Sequence, residues 1–299
     1  MNNISEEWQI ITKEIEKTTH QPFILNNIQS VSGGCINSAY ILQSENSSYF
    51  VKLNQAKFLP MFEAEFAGLK ELRETKTIRI PQPIVCGISA DKTFLVMENI
   101  PLASSSKQSD EQLGQQLAAL HHIQQPFFGW HIDNTIGSTA QPNSRSDNWL
   151  SFWQTHRLGF QLSLAETNGY GGRLIQSGKE LSESLDYFFS DYHPAPSLLH
   201  GDLWSGNAAV SATSGEPIIY DPACYYGDRE ADIAMTELFG GFGSSFYAAY
   251  SNIYPLHSGY SIRKKLYNLY HILNHLNLFG ESYLHQAQGL IGSLLSEIK

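Results

Sequence analysis

The sequence predicts a mixed α+β chain, with an N-terminal antiparallel β-sheet carrying one key helix and a larger, mainly helical C-terminal part. Three observations carry that expectation. Short apolar segments bounded by turn residues run from Asn26 to Met97. Beyond Ser109 the spacing of Leu113, Leu117 and Leu120 becomes helical, and the chain is rich in aromatic residues from there on. Between the two, the polar run Ala103 to Asp110 interrupts both patterns. The expected organisation is therefore 1–99 and 103–299, joined at 97–102.

The elements follow in order. Ser5-Glu6-Glu7 can cap and charge a first helix reaching about Thr18, with Trp8, Ile11 and Ile15 on one face. Asn26 to Ser32 reads as a strand entering Ser32 to Tyr40, where Gly33 and Gly34 suit either a plain hairpin or close approach of backbone N–H groups to phosphate. Tyr49 to Leu53 is a short apolar strand containing Lys52, which could simply snorkel from an edge. A helix from Pro60 to Arg73 follows. Of its two early acids, Glu65 lies beside the packing face of Met61, Phe62, Phe66 and Leu69, and Glu63 reads as a solvated first-turn acid. Ile84 to Ile88 and Thr93 to Met97 are strands around Ser89-Ala90-Asp91, the second running into Met97-Glu98-Asn99. Helices are expected over 110–123, 147–166, from the Gly169 to Gly172 break to about Asp191, over 231–239 and over 262–295, with a long loop from Phe127 to Asn143. His121 and His122 read as packing or surface groups. His271 and His275 stand at metal-binding helical spacing but lack the glutamate of HExxH, so core or surface roles are expected.

Composition excludes several classes. The 299 residues suffice for two sizeable cores, and 42% hydrophobic with 16% charged residues describes a globule, not a disordered chain. A net charge of −10 disfavours a nucleic-acid partner. Cys35, Cys86 and Cys224 form no CxxC pair, so a disulfide framework or cysteine zinc site is not expected, and a reducing, cytoplasmic setting fits. No apolar run approaches the ~18 residues of a membrane span, and the N-terminus lacks a signal-peptide core.

The chemistry concentrates in Leu199-His200-Gly201-Asp202-Leu203-Trp204-Ser205-Gly206-Asn207, followed by Ile218-Ile219-Tyr220-Asp221-Pro222. Transfer of a phosphoryl group from ATP needs a carboxylate to accept the acceptor's proton and two oxygen ligands for Mg²⁺. The H-x-D-x-x-x-x-N spacing is that of a kinase catalytic loop, with Asp221 in the place of the metal aspartate. A polar turn between strands would use the same residue types. What raises the reading is order: Lys52, Glu65, the 97–102 link, the loop and Asp221 succeed one another as in kinases, which implies a bilobal protein-kinase-like fold. The absence of arginine between His200 and Asp202 resembles small-molecule kinases of the aminoglycoside and choline type, not protein kinases.

A narrower resemblance spans nearly the whole chain. HGDLWSGN, DPACYYGDREADIAMTELFGGF, GGCINSAY, MFEAEFAGL, FGWHIDNTIGSTAQPN and LYHILNHLNLFGESY are similar to the fructosamine kinase (ketosamine-3-kinase) family. That resemblance implies phosphorylation of the 3-hydroxyl of sugar–amine adducts, free or on glycated proteins, with ATP and Mg²⁺. It implies Asp202 as catalytic base, Asn207 and Asp221 as magnesium ligands, and Lys52 with Glu65 as the phosphate lysine and its partner. Gly33 and Gly34 fall in the nucleotide loop, and Met97, Glu98 and Asn99 in the hinge. Asp232 corresponds to a buried acid bracing the catalytic-loop backbone. Trp204 is expected as a wall for the sugar. Asp228 or Glu230 is expected to face the adduct's ammonium group, although Asp228 could equally be a helix N-cap. Cys35, beside the two glycines, is a redox candidate, so that monomer and redox-dependent dimer both stay open. A kinase of another small hydroxyl compound and a non-catalytic nucleotide-binding scaffold remain as alternatives.

Overall fold

Side-chain alternation along the strands determines what each face of the N-terminal sheet meets. The computed structural model describes residues 5–32 and 36–298. It forms two compact units, Met1–Ser105 with Ala209–Pro222, and Ser106–Ala208 with Ala223–Lys299. The division is discontinuous because the strands Ala208–Ser211 and Pro217–Ile219 form a small three-stranded sheet with Leu102–Ala103.

In the first unit, α1 (Glu6–Thr19) precedes a five-stranded antiparallel sheet of β1 (Asn27–Val31), β2 (Ser38–Gln43), β3 (Ser48–Gln55), β4 (Pro83–Ser89) and β5 (Lys92–Glu98). The spatial order is β1-β2-β3-β5-β4, and α2 (Leu59–Glu74) is inserted between β3 and β4. Val51 and Leu53 of β3, with Phe94 and Val96 of β5, share one buried cluster with Ile11 and Ile15 of α1. A period of two sends the intervening Lys52, opposite Leu95 in the register, to the other face of the sheet. There α2 packs with Phe62, Leu69 and Leu72 buried. Lys52 is thus buried by its strand position, on the side where a helix can supply a carboxylate. Gly33, Gly34 and Cys35 lie outside the described residues.

The second unit is helical: α3 (Lys107–His121), α4 (Trp149–Trp153), α5 (Gly159–Thr167), α6 (Arg173–Glu183), α7 (Glu230–Leu238), α8 (Ser244–Ile253), α9 (Tyr260–Phe279) and α10 (Leu284–Ile298). α3 starts ahead of the expected Asp110 because Ser106 and Ser109 close a reciprocal capping box. The expected loop 127–143 contains a small hairpin, Asn134–Ile136 with Thr139–Gln141, turning at Gly137 with φ 63°. Its Gly-Ser turn was the available signal. The expected helix 147–166 is interrupted by a π-helical turn, Gln154–Leu158. This turn carries fully buried Arg157, whose guanidinium lies 4.0 Å from the Tyr225 ring centroid and donates to Pro142 O and Asn143 Oδ1. The expected helix 262–295 is two helices, parted at Gly280 with φ 90°.

α3 and α8 pack closely because Gly114 has no side chain: a Cβ there would fall on the carbonyl oxygen of Phe246. Replacing Gly114 by Ala is expected to destabilise the protein by about 1–3 kcal/mol, the usual cost of overpacking. It should also loosen the His121–Tyr250 contact between these helices. Thermal unfolding checks the first effect. An unchanged midpoint would show that the helices can part without cost.

Candidate active site

In the second unit, a short antiparallel ladder pairs Ser197–Leu199 with Tyr225–Gly227 and delivers His200 to Asp202 into a tight loop. The loop is closed by Ala223 N–H donating to His200 O at 2.9 Å. Gly201 adopts φ +83°, and a Cβ would collide with the Ala223 carbonyl. Glycine at this position of the loop is therefore a requirement of backbone approach. From the other side, the β-hairpin fixes the same Ala223–Cys224 segment: Gln141 Nε2 donates to Ala223 O at 3.0 Å and Asn134 Nδ2 to Cys224 O at 2.8 Å.

One carboxylate holds the loop. Asp232, 1% exposed on α7, accepts from His200 N–H on Oδ2 at 2.7 Å and from Gly201 N–H on Oδ1 at 2.8 Å. His121 Nε2 approaches Oδ2 at 3.2 Å. Burial opposes charge on Asp232, but the contacts with His121, His200 and Gly201 N–H outweigh it and hold the carboxyl below its usual range. His121 is held down by burial and stays neutral. A neutral imidazole donating from Nε2 to Asp232 must accept at Nδ1, where Tyr250 Oη lies 2.8 Å away. Arg229 donates in turn to Tyr250 Oη at 3.0 Å and to Tyr254 O at 2.9 Å. His121 is therefore part of the brace, a role that no local sequence signal carried.

Asp202 is half-buried. Asn207 Nδ2 donates to the Asp202 backbone oxygen at 2.8 Å and to Asp202 Oδ2 at 3.2 Å, fixing the carboxylate. Trp204 is 37% exposed. Its ring lies over Gly206, where a Cβ would strike the six-membered ring.

The first unit holds the other predicted group. Lys52 Nζ donates to Glu65 Oε1 at 2.6 Å and to Asp221 Oδ1 at 2.7 Å. Burial alone would lower the lysine pKa, but Asp221 and Glu65 together raise it above its ordinary value, so the ammonium persists at every working pH. Burial pushes Glu65 up, and the ammonium opposes it. Glu63 is exposed. Asp221 sits in the left-handed region at φ 58°, which aspartate tolerates better than most residues, and its side chain is 42% exposed. Of the expected hinge, Met97 is buried, Glu98 N–H is taken by Gln82 O at 2.8 Å, and the Glu98 carboxylate engages Arg79. Asn99 donates to Ser48 Oγ. A nucleotide base therefore has no free donor at Glu98 N–H.

Among the described residues, no cluster of three or more His, Cys, Asp or Glu could cage a metal. Mg²⁺ does not require one, since it keeps waters and uses one or two carboxylates plus substrate phosphates. Taken separately, the Asp221 carboxylate is 42% exposed and the Asn207 amide donates through its nitrogen, and each residue carries a hard oxygen of the kind Mg²⁺ takes.

Asp228 and Glu230 correct the expectation that either faces a substrate. Both are fully buried. Asp228 accepts from Tyr192 at 2.8 Å, from Tyr267 and from Glu230 N–H at 3.0 Å, and Glu230 pairs with Arg263 Nε at 2.7 Å. Their charge is spent on internal partners. His271 is buried and His275 half-buried, both held low by burial, as core imidazoles are.

Residues 7–297 match the family model described as fructosamine kinase. The chain belongs to the fructosamine kinase family. A probable ketoamine kinase of Synechocystis sp. is 49% identical over 289 residues, covering 96% of this chain and 97% of that one. A chloroplastic protein-ribulosamine 3-kinase of Arabidopsis thaliana is 42% identical, covering 92% and 84%. The crystal structure of a Haemophilus somnus protein provisionally named a fructosamine-3-kinase superposes with a TM-score of 0.89 at 30% identity, covering 97% and 98%. The fold is protein-kinase-like: a solved choline kinase of Streptococcus pneumoniae shares it at 16% identity and a TM-score of 0.66, covering 98% and 100%. Among the described residues of this fructosamine kinase family member, no helix is long and apolar enough to cross a membrane, and neither Cys86 nor Cys224 is in a disulfide.

Buried Asp228 titrates high, its pKa pushed by burial and by Glu230 from 3.8 to about 6. A folded pKa above the unfolded one means the folded state binds the proton more tightly between those values. Stability from this group is therefore fully present below about pH 4 and is lost as pH rises through about 6. Asp228→Asn should flatten that part of the profile. Chemical denaturation of both proteins across this window checks it, and parallel profiles would show that Asp228 stays ionised throughout.

Proposed function

We propose that the protein transfers the γ-phosphoryl group of ATP to the 3-hydroxyl of ketosamines, the fructosamine- and ribulosamine-type adducts of sugars with amines. The observation that carries this reading is the clamped Asp202–Asn207 pair on a loop braced by Asp232, in a chain whose family match spans 7–297. Phosphorylation at that hydroxyl destabilises the adduct and releases the amine, so the activity is one of deglycation. An acidic chain whose Cys86 and Cys224 are not in disulfides suits a reducing compartment such as the bacterial cytoplasm.

Asp202 accepts the proton of the attacking hydroxyl, and Asn207 keeps its carboxylate from rotating away. The Lys52 ammonium, locked by Glu65, presents a fixed positive charge to the phosphates. When bound, Mg²⁺ offsets the charge on the transferring phosphoryl group. Asn207 and Asp221 are the residues that would hold it. Gly33 and Gly34 are proposed for the nucleotide loop. Adenine is assigned to the Met97–Asn99 stretch, through backbone groups other than Glu98 N–H.

Asp202→Asn keeps the shape of the side chain and loses the base. Turnover should fall about 10²–10⁴-fold while ATP affinity is kept. Asp221→Ala should instead weaken Mg²⁺-dependent nucleotide binding. Calorimetric ATP binding and coupled ATP consumption with ribulosamine, fructosamine, choline and aminoglycoside acceptors separate these effects. Near-normal turnover of Asp202→Asn, or choline as the better acceptor by kcat/KM, would overturn the assignment.

A further inference from the structure

A ketosamine carries a secondary amine next to the sugar, protonated at neutral pH, and beyond it the group that bore the amine. The two carboxylates expected to meet that cation are fully buried and committed to Tyr192, Tyr267 and Arg263. Glu237, further along α7, is tied to Lys264 at 2.8 Å and to Tyr260. None of these three acids is free to meet the cation.

Within the second unit, Trp204 of the catalytic loop begins a continuous row of aromatic rings. Its centroid lies 6.3 Å from that of Phe239, edge to face, and Phe239 lies 4.9 Å from His275. His275 is 5.1 Å from Tyr283 and 5.4 Å from Phe279. The row is partly open to solvent: Trp204 is 37% exposed and Phe279 53%, with Phe239 and Tyr283 half-buried. Large aromatic side chains left this open gain less from packing than buried ones, and an exposed apolar patch beside a reactive loop marks a binding surface. Trp204 is held in place, because its ring rests on the bare backbone of Gly206. Burial keeps His275 neutral, so the row carries no repelling charge.

We infer that Trp204, Phe239, His275, Tyr283 and Phe279 form the subsite for the amine-bearing group of the acceptor. The row takes the protonated amine by cation–π attraction and the attached carrier chain by apolar contact. This rests on the ketosamine-kinase reading and adds to it a selectivity: acceptors are chosen for the positive nitrogen and for an extended carrier, such as a lysine side chain, rather than for the sugar alone. Five rings running away from the loop also suit carriers longer than a free small amine.

The test uses the full chain and two matched acceptors, a ketose joined through its amine to a lysine side chain, and the ether in which oxygen replaces that nitrogen. Phe239→Leu and Phe279→Leu keep apolar bulk and lose the π face, and exposed Phe279 tolerates the change without unfolding. Each should raise KM for the amine acceptor about 3–30-fold, the range of a cation–π contact. The kcat should stay within about twofold, as for an interaction made equally in ground and transition states. KM for the ether should not move. Equal shifts for both acceptors, or no shift for either, would overturn the inference and leave the ketosamine activity standing. A wild-type protein that phosphorylates neither acceptor would overturn the proposed function itself, and the subsite with it.

Discussion

A single buried carboxylate governs the catalytic loop. Asp232 accepts both His200 N–H and Gly201 N–H, and a charge stripped of water is tolerable there because those donors and neutral His121 surround it. Everything the loop presents follows from that clamp. With the backbone fixed at His200 and Gly201, Asp202 projects in one direction, and Asn207 can reach back to hold its carboxylate. The clamp is supported by a chain of polar contacts through His121 and Tyr250 to Arg229, each member satisfied by the next.

The first unit solves a different electrostatic problem. Lys52 is buried in the middle of a strand, where desolvation alone would favour a neutral amine. Two carboxylates, one on α2 and one on the returning segment that ends at Pro222, reverse that preference. The ammonium is thereby a permanent charge, suited to phosphate and unsuited to proton transfer. Of the two partners, Asp221 is the one left with substantial exposure.

The acid-rich sequence Gly227-Asp228-Arg229-Glu230-Ala231-Asp232 looks like a recognition surface and is nearly all interior. Its three carboxylates are accommodated in three ways: Asp228 by hydroxyl donors and a raised pKa, Glu230 by Arg263, and Asp232 by backbone N–H groups. Charge pattern alone could not distinguish these, because what separates them is the identity of the partner brought from Tyr192, Arg263 or His200, each remote in sequence. That reassignment leaves the substrate's cation to the aromatic row.

Much was nevertheless legible in the sequence. The order of elements paired Lys52 in the strand 49–53 with the helix that follows it, helical spacing in 60–73 selected Glu65 over Glu63, and the HGDLWSGN spacing put Asp202 and Asn207 on one loop. These are local properties, set by periods of two and 3.6 residues and by turn chemistry. The hairpin at Gly137 and the break at Gly280 had local signals as well, which the long polar and apolar stretches around them obscured. Sequence by itself determined most of the elements, the order of the candidate site residues and the family. Only the tertiary structure decided that Asp228 and Glu230 are interior, that His121 supports Asp232, that Gly201 is demanded by Ala223, and that the rings of Trp204, Phe239, α9 and Tyr283 line up. The physical reason is common to all four: burial and contact depend on which distant segment fills the neighbouring space, and no local period encodes that.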